Sequence, residues 1–150
     1  MSDVKELYQQ VILDHSRKPR NFHEIGDPTC SVDGFNPLCG DSYKIYIKVE
    51  NDTILDISFT GTGCAISKAS GSMMTSAVKG KKISEAEAMF ERFHKMITSD
   101  IHDPVDEKEL GKLAVFSGVR EYPVRVKCAS LPWHAMKSAI HGGDDTVSTE

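Results

Sequence analysis

Three cysteines and one aspartate are the residues of this chain whose types and settings suit them best to chemistry. Cys39 and Asp41 are separated by one glycine, so their side chains point to the same side if the backbone there is extended. Cys64 and Cys128 each lie where a helix is predicted to begin. Three thiolate sulfurs and a carboxylate oxygen are ligands that zinc takes in four-coordinate sites. We therefore predict that Cys39, Asp41, Cys64 and Cys128 bind one metal ion, and that Cys39 is also a reactive sulfur.

The predicted positions of these cysteines favour the thiolate form. A helix N-terminus carries partial positive charge and free N–H groups, which stabilise a thiolate as a ligand or nucleophile. Three thiolates and a carboxylate around zinc leave a formal charge of about -2, which Arg125 and Lys127 are placed to offset. Cys30 falls in a predicted strand, where a buried structural role is expected.

Composition limits the classes of function that remain. The chain has 150 residues, a length typical of one domain, and a formal net charge of -4, which argues against nucleic-acid binding. It has neither an apolar run of about 20 residues nor a secretory signal, so we expect no membrane span and a cytoplasmic location. Its four cysteines form no CxxC pair. In a reducing compartment they are interpreted as metal ligands or reactive thiols rather than as disulfides.

Hydrophobic periodicity predicts helices around one antiparallel hairpin. Apolar residues alternate over residues 43–49 and 55–59, which predicts two strands joined by a turn at Asn51-Asp52, and residues 29–33 form a weaker first strand. Helical patterns cover residues 4–17, 64–79, 84–97 and 106–118, with Ser84 as the predicted cap of the third helix. Ser130 and Pro132 predict the start of the last helix, directly after Cys128. We expect one domain over residues 1–143 and a disordered tail over residues 144–150.

The ordered motifs resemble the NifU/IscU family of iron–sulfur assembly proteins. The resemblance rests on Cys39-Gly40-Asp41 before a hairpin, Gly63-Cys64 opening a helix rich in small residues, and a third cysteine near the last helix. Residues 7–15 and 19–21 match as well, so it covers roughly residues 7–140. Within the family the chain is most similar to the SufU type. Lys127 stands where the scaffold type has histidine, and a longer segment over residues 96–120 precedes the last cysteine.

The resemblance implies an α+β fold with a small three-stranded antiparallel sheet and helices packed mainly on one face. It implies a zinc-dependent sulfur carrier in iron–sulfur cluster biogenesis, with sulfurtransferase-like activity. A SufS-like cysteine desulfurase is the implied partner, a persulfide forms on Cys39, and a downstream scaffold or apo-protein receives the sulfur. Two alternatives stay open: a scaffold that assembles a [2Fe–2S] cluster on the same cysteines, and a zinc-stabilised module that only activates the desulfurase.

Overall fold

One helix precedes the three long strands of a small sheet, and the other helices follow them along the chain. The structure is a computed structural model that describes residues 2–142 and 147–148. Its helices are α1 (Ser2–Arg17), α2 (Ala65–Val78), α3 (Ile83–Thr98), α4 (Glu107–Leu110) and α5 (Pro123–Ile140), with a 3-10 helix (Gly111–Glu121) before α5. The strands are β1 (Cys30–Asn36), β2 (Asp41–Glu50), β3 (Thr53–Thr62) and β4 (Val147–Ser148).

The sheet confirms the expected antiparallel core and adds a fourth strand. The strand order is β3-β2-β1-β4, and both β1–β2 and β2–β3 are antiparallel. The strand β4 is short and pairs in parallel with Gly34 and Phe35 of β1. Part of the tail predicted to be disordered is therefore paired with the sheet, and the rest of that tail lies outside the described residues.

One face of the sheet is buried under helices. Alternate side chains of the three long strands point to that face and are almost inaccessible, among them Val32, Ile45, Ile57 and Phe59. Helices α2 and α5 pack against the strands, and α1 and α3 pack against those two helices. Gly71 permits the close approach of α2, because a Cβ there would lie 2.8 Å from the Phe59 ring. Within residues 2–142 and 147–148, no helix is both long and apolar enough to cross a bilayer.

Two predicted helix starts are wrong. Helix α3 begins at Ile83 rather than after Ser84, and its first turn is closed by Glu85, whose carboxylate accepts from the Lys82 N–H at 3.3 Å. Helix α5 begins at Pro123, well before Ser130. Proline suits the first position of a helix because its missing N–H has no partner there. Pro132 instead lies inside α5, so its nitrogen cannot bond the carbonyl of Cys128, four residues earlier.

Candidate metal and sulfur site

Cys39 lies in a tight hairpin loop between β1 and β2. The last pair of the ladder joins Asn36 to Asp41, so only residues 37–40 form the loop. The carbonyl of Asn36 accepts from the Cys39 N–H at 3.3 Å and from the Gly40 N–H at 2.9 Å. Gly40 has φ +73°, a left-handed conformation that glycine adopts at little cost. The backbone between Cys39 and Asp41 is thus turned, and Cys39 still lies beside Asp41.

Asp41 begins β2 with its carboxylate under the helices. It is 1% exposed. Its Oδ1 accepts from the Cys64 backbone N–H at 2.8 Å, and its Oδ2 lies 3.9 Å from the Cys64 sulfur. The carboxylate therefore connects the start of β2 to the start of α2 and leaves one oxygen directed toward the sulfurs.

Cys64 is the N-cap of α2, as the sequence predicts. Its sulfur accepts from the Ser67 N–H at 3.4 Å, which satisfies one of the free donors of the first helical turn. The Ser67 hydroxyl lies 3.5 Å from the same sulfur and 2.8 Å from the Tyr43 hydroxyl. Gly63 leaves the space for this arrangement, because a Cβ there would lie 2.4 Å from the Tyr43 oxygen and 2.6 Å from Asp41 Oδ1.

Cys128 lies in the second turn of α5 rather than at its N-terminus. The predicted helix start at Ser130 is seven residues later than the observed start at Pro123, so the free N–H groups of a helix start are not available to this sulfur. Cys128 is 2% exposed, and its sulfur is 3.1 Å from the sulfur of Cys39. The Asn36 side chain donates to it from Nδ2 at 3.6 Å.

The donor set fits a zinc ion. The ligand atoms of Cys39, Asp41 and Cys128 all lie within 4.8 Å of one another. Two sulfurs bound to the same tetrahedral zinc are about 3.8 Å apart, given Zn–S bonds of about 2.3 Å. The Cys39 and Cys128 sulfurs, at 3.1 Å, are within a small side-chain adjustment of that spacing. Cys64 is outside this group of three, but its sulfur lies beside Asp41 at 3.9 Å. Three of the four predicted ligands are gathered, and the fourth is adjacent.

The two inner cysteines share their charge unequally. A hydrogen bond with Cys128 lowers the pKa of Cys64 to about 6, against burial, which raises it, and the backbone N–H of Ser67 lowers it further. The same hydrogen bond with Cys64, together with burial, raises the pKa of Cys128 above its ordinary value. In the metal-free site this hydrogen bond therefore favours negative charge on the Cys64 sulfur over negative charge on the Cys128 sulfur. Metal binding requires both sulfurs to be deprotonated.

The two predicted supporting charges, Arg125 and Lys127, lie on α5. Arg125 is exposed, and its guanidinium carbon stands 4.4 Å from the centre of the Tyr122 ring. Lys127 is half-buried and directly precedes Cys128. Arg125 lies three residues before Cys128, on a neighbouring part of the helix surface. Their role in offsetting the charge of the site stays a prediction.

Sequence reasoning missed the residues that support the ligands. Asn36, Tyr43 and Ser67 each contact a ligand or its neighbour and are buried at 0%, 2% and 0% exposure. Tyr43 looked like one of several alternating strand residues, and Ser67 like one of many small residues in α2. Only Asn36 carried a signal, because asparagine before proline is typical of a turn.

The chain is similar to known proteins over most of its length. The profile of the family described as NifU-like N terminal domain matches residues 7–129. The Zinc-dependent sulfurtransferase SufU of Bacillus subtilis is 40% identical over 139 residues, which cover 93% of this chain and 92% of that protein. The iron–sulfur cluster assembly scaffold protein IscU of Streptococcus pyogenes is 41% identical over 140 residues, covering 93% of this chain and 86% of the relative.

The fold agrees with these relatives as well. The solved structure of SufU from Fervidobacterium islandicum AW-1 superposes with a TM-score of 0.80 at 34% identity, covering 87% of this chain and 94% of that one. The predicted α+β architecture is therefore the architecture of a known relative. The profile match spans most of the sequence and includes all four predicted ligands. The chain therefore belongs to the family of NifU-like N-terminal domains, and its similar relatives include proteins named for iron–sulfur cluster assembly.

Proposed function

We propose that this protein is a zinc-dependent sulfur carrier of iron–sulfur cluster biogenesis. It accepts a sulfur atom on Cys39 from the persulfide of a cysteine desulfurase in the cytoplasm and passes it to a scaffold or an apo-protein. Cys39, Asp41, Cys64 and Cys128 are the proposed metal ligands. Zinc is proposed because of the three sulfurs and one oxygen, and because of the name of the B. subtilis relative.

The observation that carries the proposal is the contrast between Cys39 and the other sulfurs. Cys128 is fixed inside a helix and almost inaccessible, and Cys64 is committed to the N-cap of α2. Cys39 and Cys64 are both half-exposed, but Cys39, unlike Cys64, lies on a four-residue loop, next to Leu38, which is 62% exposed. A partner can therefore reach the Cys39 sulfur while the other two stay in place.

The proposed reactivity of Cys39 depends on deprotonation of its sulfur and on the fixed conformation of its loop. When bound, zinc keeps the cysteine sulfurs deprotonated at neutral pH and protects them from oxidation. The turn at Asn36 holds the loop in one conformation, so Cys39 is presented at the surface without a large entropy cost. Asp41 and Cys64 remain joined through the 2.8 Å hydrogen bond between carboxylate and backbone.

Sulfur transfer to Cys39 is an exchange without net oxidation. The Cys39 thiolate attacks the outer sulfur of the enzyme's persulfide and forms a new S–S bond. The old S–S bond breaks, and its electron pair leaves with the enzyme's cysteine, which becomes a thiolate. Any proton on the outer sulfur travels with it, so one persulfide is consumed and one is formed. Arg125 and Lys127 are proposed to offset the negative charge of the metal site.

The test is direct detection of the acceptor atom. The purified chain is mixed with a cysteine desulfurase and cysteine, and the mass gain of one sulfur is assigned to a residue by mass spectrometry. Cys39→Ser should accept no sulfur while retaining part of its zinc. Cys30→Ser, which alters a buried cysteine at the start of β1, should behave like the unaltered chain. Sulfur found on Cys39→Ser excludes Cys39 as the acceptor, and stimulation of the desulfurase without any persulfide on the chain favours a purely activating role.

A scaffold function is the second candidate, favoured by the S. pyogenes relative, which is named an IscU scaffold. Thiolate ligands bind iron–sulfur clusters as well as zinc, so the same cysteines would hold the cluster as cargo. Anaerobic reconstitution with iron and sulfide separates the two functions. A carrier should give no stable cluster absorption and no transfer to an apo-protein, whereas a scaffold should give both.

A further inference from the structure

We propose that Asn36 is a positioning residue of the metal site, one whose single amide group holds both the loop of Cys39 and the sulfur of Cys128. This inference rests on the proposed metal site but not on sulfur transfer. Asn36 ends β1, is 0% exposed, and belongs to none of the predicted ligands. A fully buried amide has to find partners for both of its ends.

The oxygen end of the amide fixes the loop. Oδ1 accepts from the backbone N–H of Leu38 at 3.1 Å, which closes an Asx-turn directly before Cys39. The carbonyl of the same residue accepts from the N–H groups of Cys39 and Gly40. The backbone and side chain of Asn36 thus take three of the N–H groups of the loop. The side chain of Asn36 therefore restrains the residue directly before Cys39, and its backbone carbonyl restrains Cys39 itself.

The nitrogen end of the amide faces the other sulfur. Only an oxygen can accept from the Leu38 N–H, so Nδ2 points away from the loop and toward Cys128. The distance from Nδ2 to the Cys128 sulfur is 3.6 Å, a reasonable length for a bond to a large sulfur atom. A donated N–H stabilises a thiolate more than a thiol, because it interacts with negative charge.

The two contacts lie on opposite ends of a rigid planar group. The Cys39 and Cys128 sulfurs come from residues 89 apart in the chain, yet they stand 3.1 Å from each other. Asn36 bonds to the loop of the first and to the sulfur of the second. It therefore sets their spacing, in the way that partners outside the ligand shell orient metal ligands elsewhere.

Two substitutions of Asn36 remove the N–H donor of the side chain but keep an oxygen acceptor. Asn36→Ser keeps a short side-chain oxygen that can accept from the Leu38 N–H but cannot reach Cys128. Asn36→Asp keeps the shape and the accepting oxygen but replaces the N–H donor with an oxygen. Both lose the donor to sulfur and keep an acceptor for the turn. Ser70→Ala is the matched control: it removes a buried hydrogen bond of 2.5 Å to the carbonyl of Ala129, next to Cys128, without touching a sulfur.

The experiment uses Co²⁺ in place of zinc, because the sulfur-to-cobalt absorption band reports the electron density on each thiolate. Loss of a donated hydrogen bond raises the energy of the sulfur electrons, so the band should move to longer wavelength in both Asn36 variants. Ser70→Ala should leave the band in place. In competition with a chelator, Asn36→Ser should bind zinc about 10–100-fold more weakly than the unaltered chain.

The outcomes distinguish this inference from the proposed function. A cobalt band that stays unchanged in both Asn36 variants overturns the positioning role, whatever the affinity. A band that moves equally in Ser70→Ala overturns it too, because the effect would then follow from general loosening of α5. If the unaltered chain binds neither Co²⁺ nor zinc, the proposed metal site itself fails.

Discussion

The effect of Asp41→Asn on the melting temperature should have opposite signs in the metal-free and the zinc-bound protein. The substitution keeps an oxygen that can accept from the Cys64 N–H, now 2.8 Å from Oδ1, and places an amide NH₂ near the Cys64 sulfur, which lies 3.9 Å from Oδ2. Burying a carboxylate costs several kcal/mol, whereas a bond to a charged acceptor exceeds a neutral one by only about 1 kcal/mol. In the absence of metal, the melting temperature of the variant should therefore be higher than that of the unaltered chain.

In the presence of zinc the same variant should lose stability. At a free zinc concentration about 1,000 times the dissociation constant, binding stabilises the folded state by about 4 kcal/mol. For a chain of 150 residues that corresponds to a rise of about 8–16 °C in melting temperature. If losing the carboxylate weakens zinc binding about 100-fold, the gain falls to about 1.4 kcal/mol, or about 3–6 °C.

The assay is thermal unfolding followed by the fluorescence of Trp133, the single tryptophan, which is fully buried against the Phe93 ring. Each variant is measured with buffered zinc and with chelator. Asp33→Asn is the control, since Asp33 is exposed on β1 opposite Lys44 and should change both temperatures little. An equal fall with and without zinc would make Asp41 a structural cap of α2 rather than a ligand.

Three further substitutions give separate expectations. Gly63→Ala should sharply reduce the zinc content of the purified protein, measured by elemental analysis, because the new Cβ would lie 2.6 Å from Asp41 Oδ1; Gly26→Ala has no atom within 4 Å of its Cβ and should retain zinc. Arg120→Ala should make residues 99–103 sensitive to protease but leave zinc binding unchanged, since the guanidinium donates to the carbonyls of Asp100 and Asp103 at 2.8 and 3.0 Å. Burial lowers the pKa of His134 below its ordinary value of about 6.5, so the unfolded chain binds a proton that the folded chain does not. The contribution of His134 to stability should be constant above about pH 7.5 and decrease as the pH drops below about 6.5. His134→Gln should flatten that fall in urea titrations, and an unchanged slope would exclude this histidine as a cause.

The sheet was predictable because its signals are local. Residues 43–49 alternate strictly, and Asn51 and Asp52 both adopt positive φ at the turn, as their types favour. Strand β1 was the weaker prediction: the sequence indicated residues 29–33, and the structure continues the strand to Asn36, where the four-residue loop before β2 begins. The pairing of β4 with β1 joins segments far apart in the chain, which is why a short acidic tail gave no strand signal.

The start of α5 could not be read from local signals because two of them conflict. Pro123 and Pro132 are both acceptable first-turn residues, and Ser130 is an acceptable cap. The structure uses Pro123, and the Ser130 hydroxyl bonds the Lys127 carbonyl within the helix instead. Tertiary packing determines where α5 begins. Leu131 and Trp133 are fully buried because the whole segment is helical and packs against the sheet. Cys128 lies beside Cys39 as expected, although its position in the helix was predicted wrongly, and its role as a ligand stays a prediction.

The three sulfurs differ in how firmly the fold holds them, and this difference supports the proposal that one site combines metal binding with sulfur transfer. Cys128 is part of a helix that packs on β1 and β2, so moving it would disturb the core. Cys64 moves only at the cost of the cap of α2. Cys39 is restrained by a turn of a few hydrogen bonds around Asn36, each worth about 1 kcal/mol. A partner that binds the loop can therefore draw Cys39 out at a modest cost, while the other two cysteines and Asp41 keep their places.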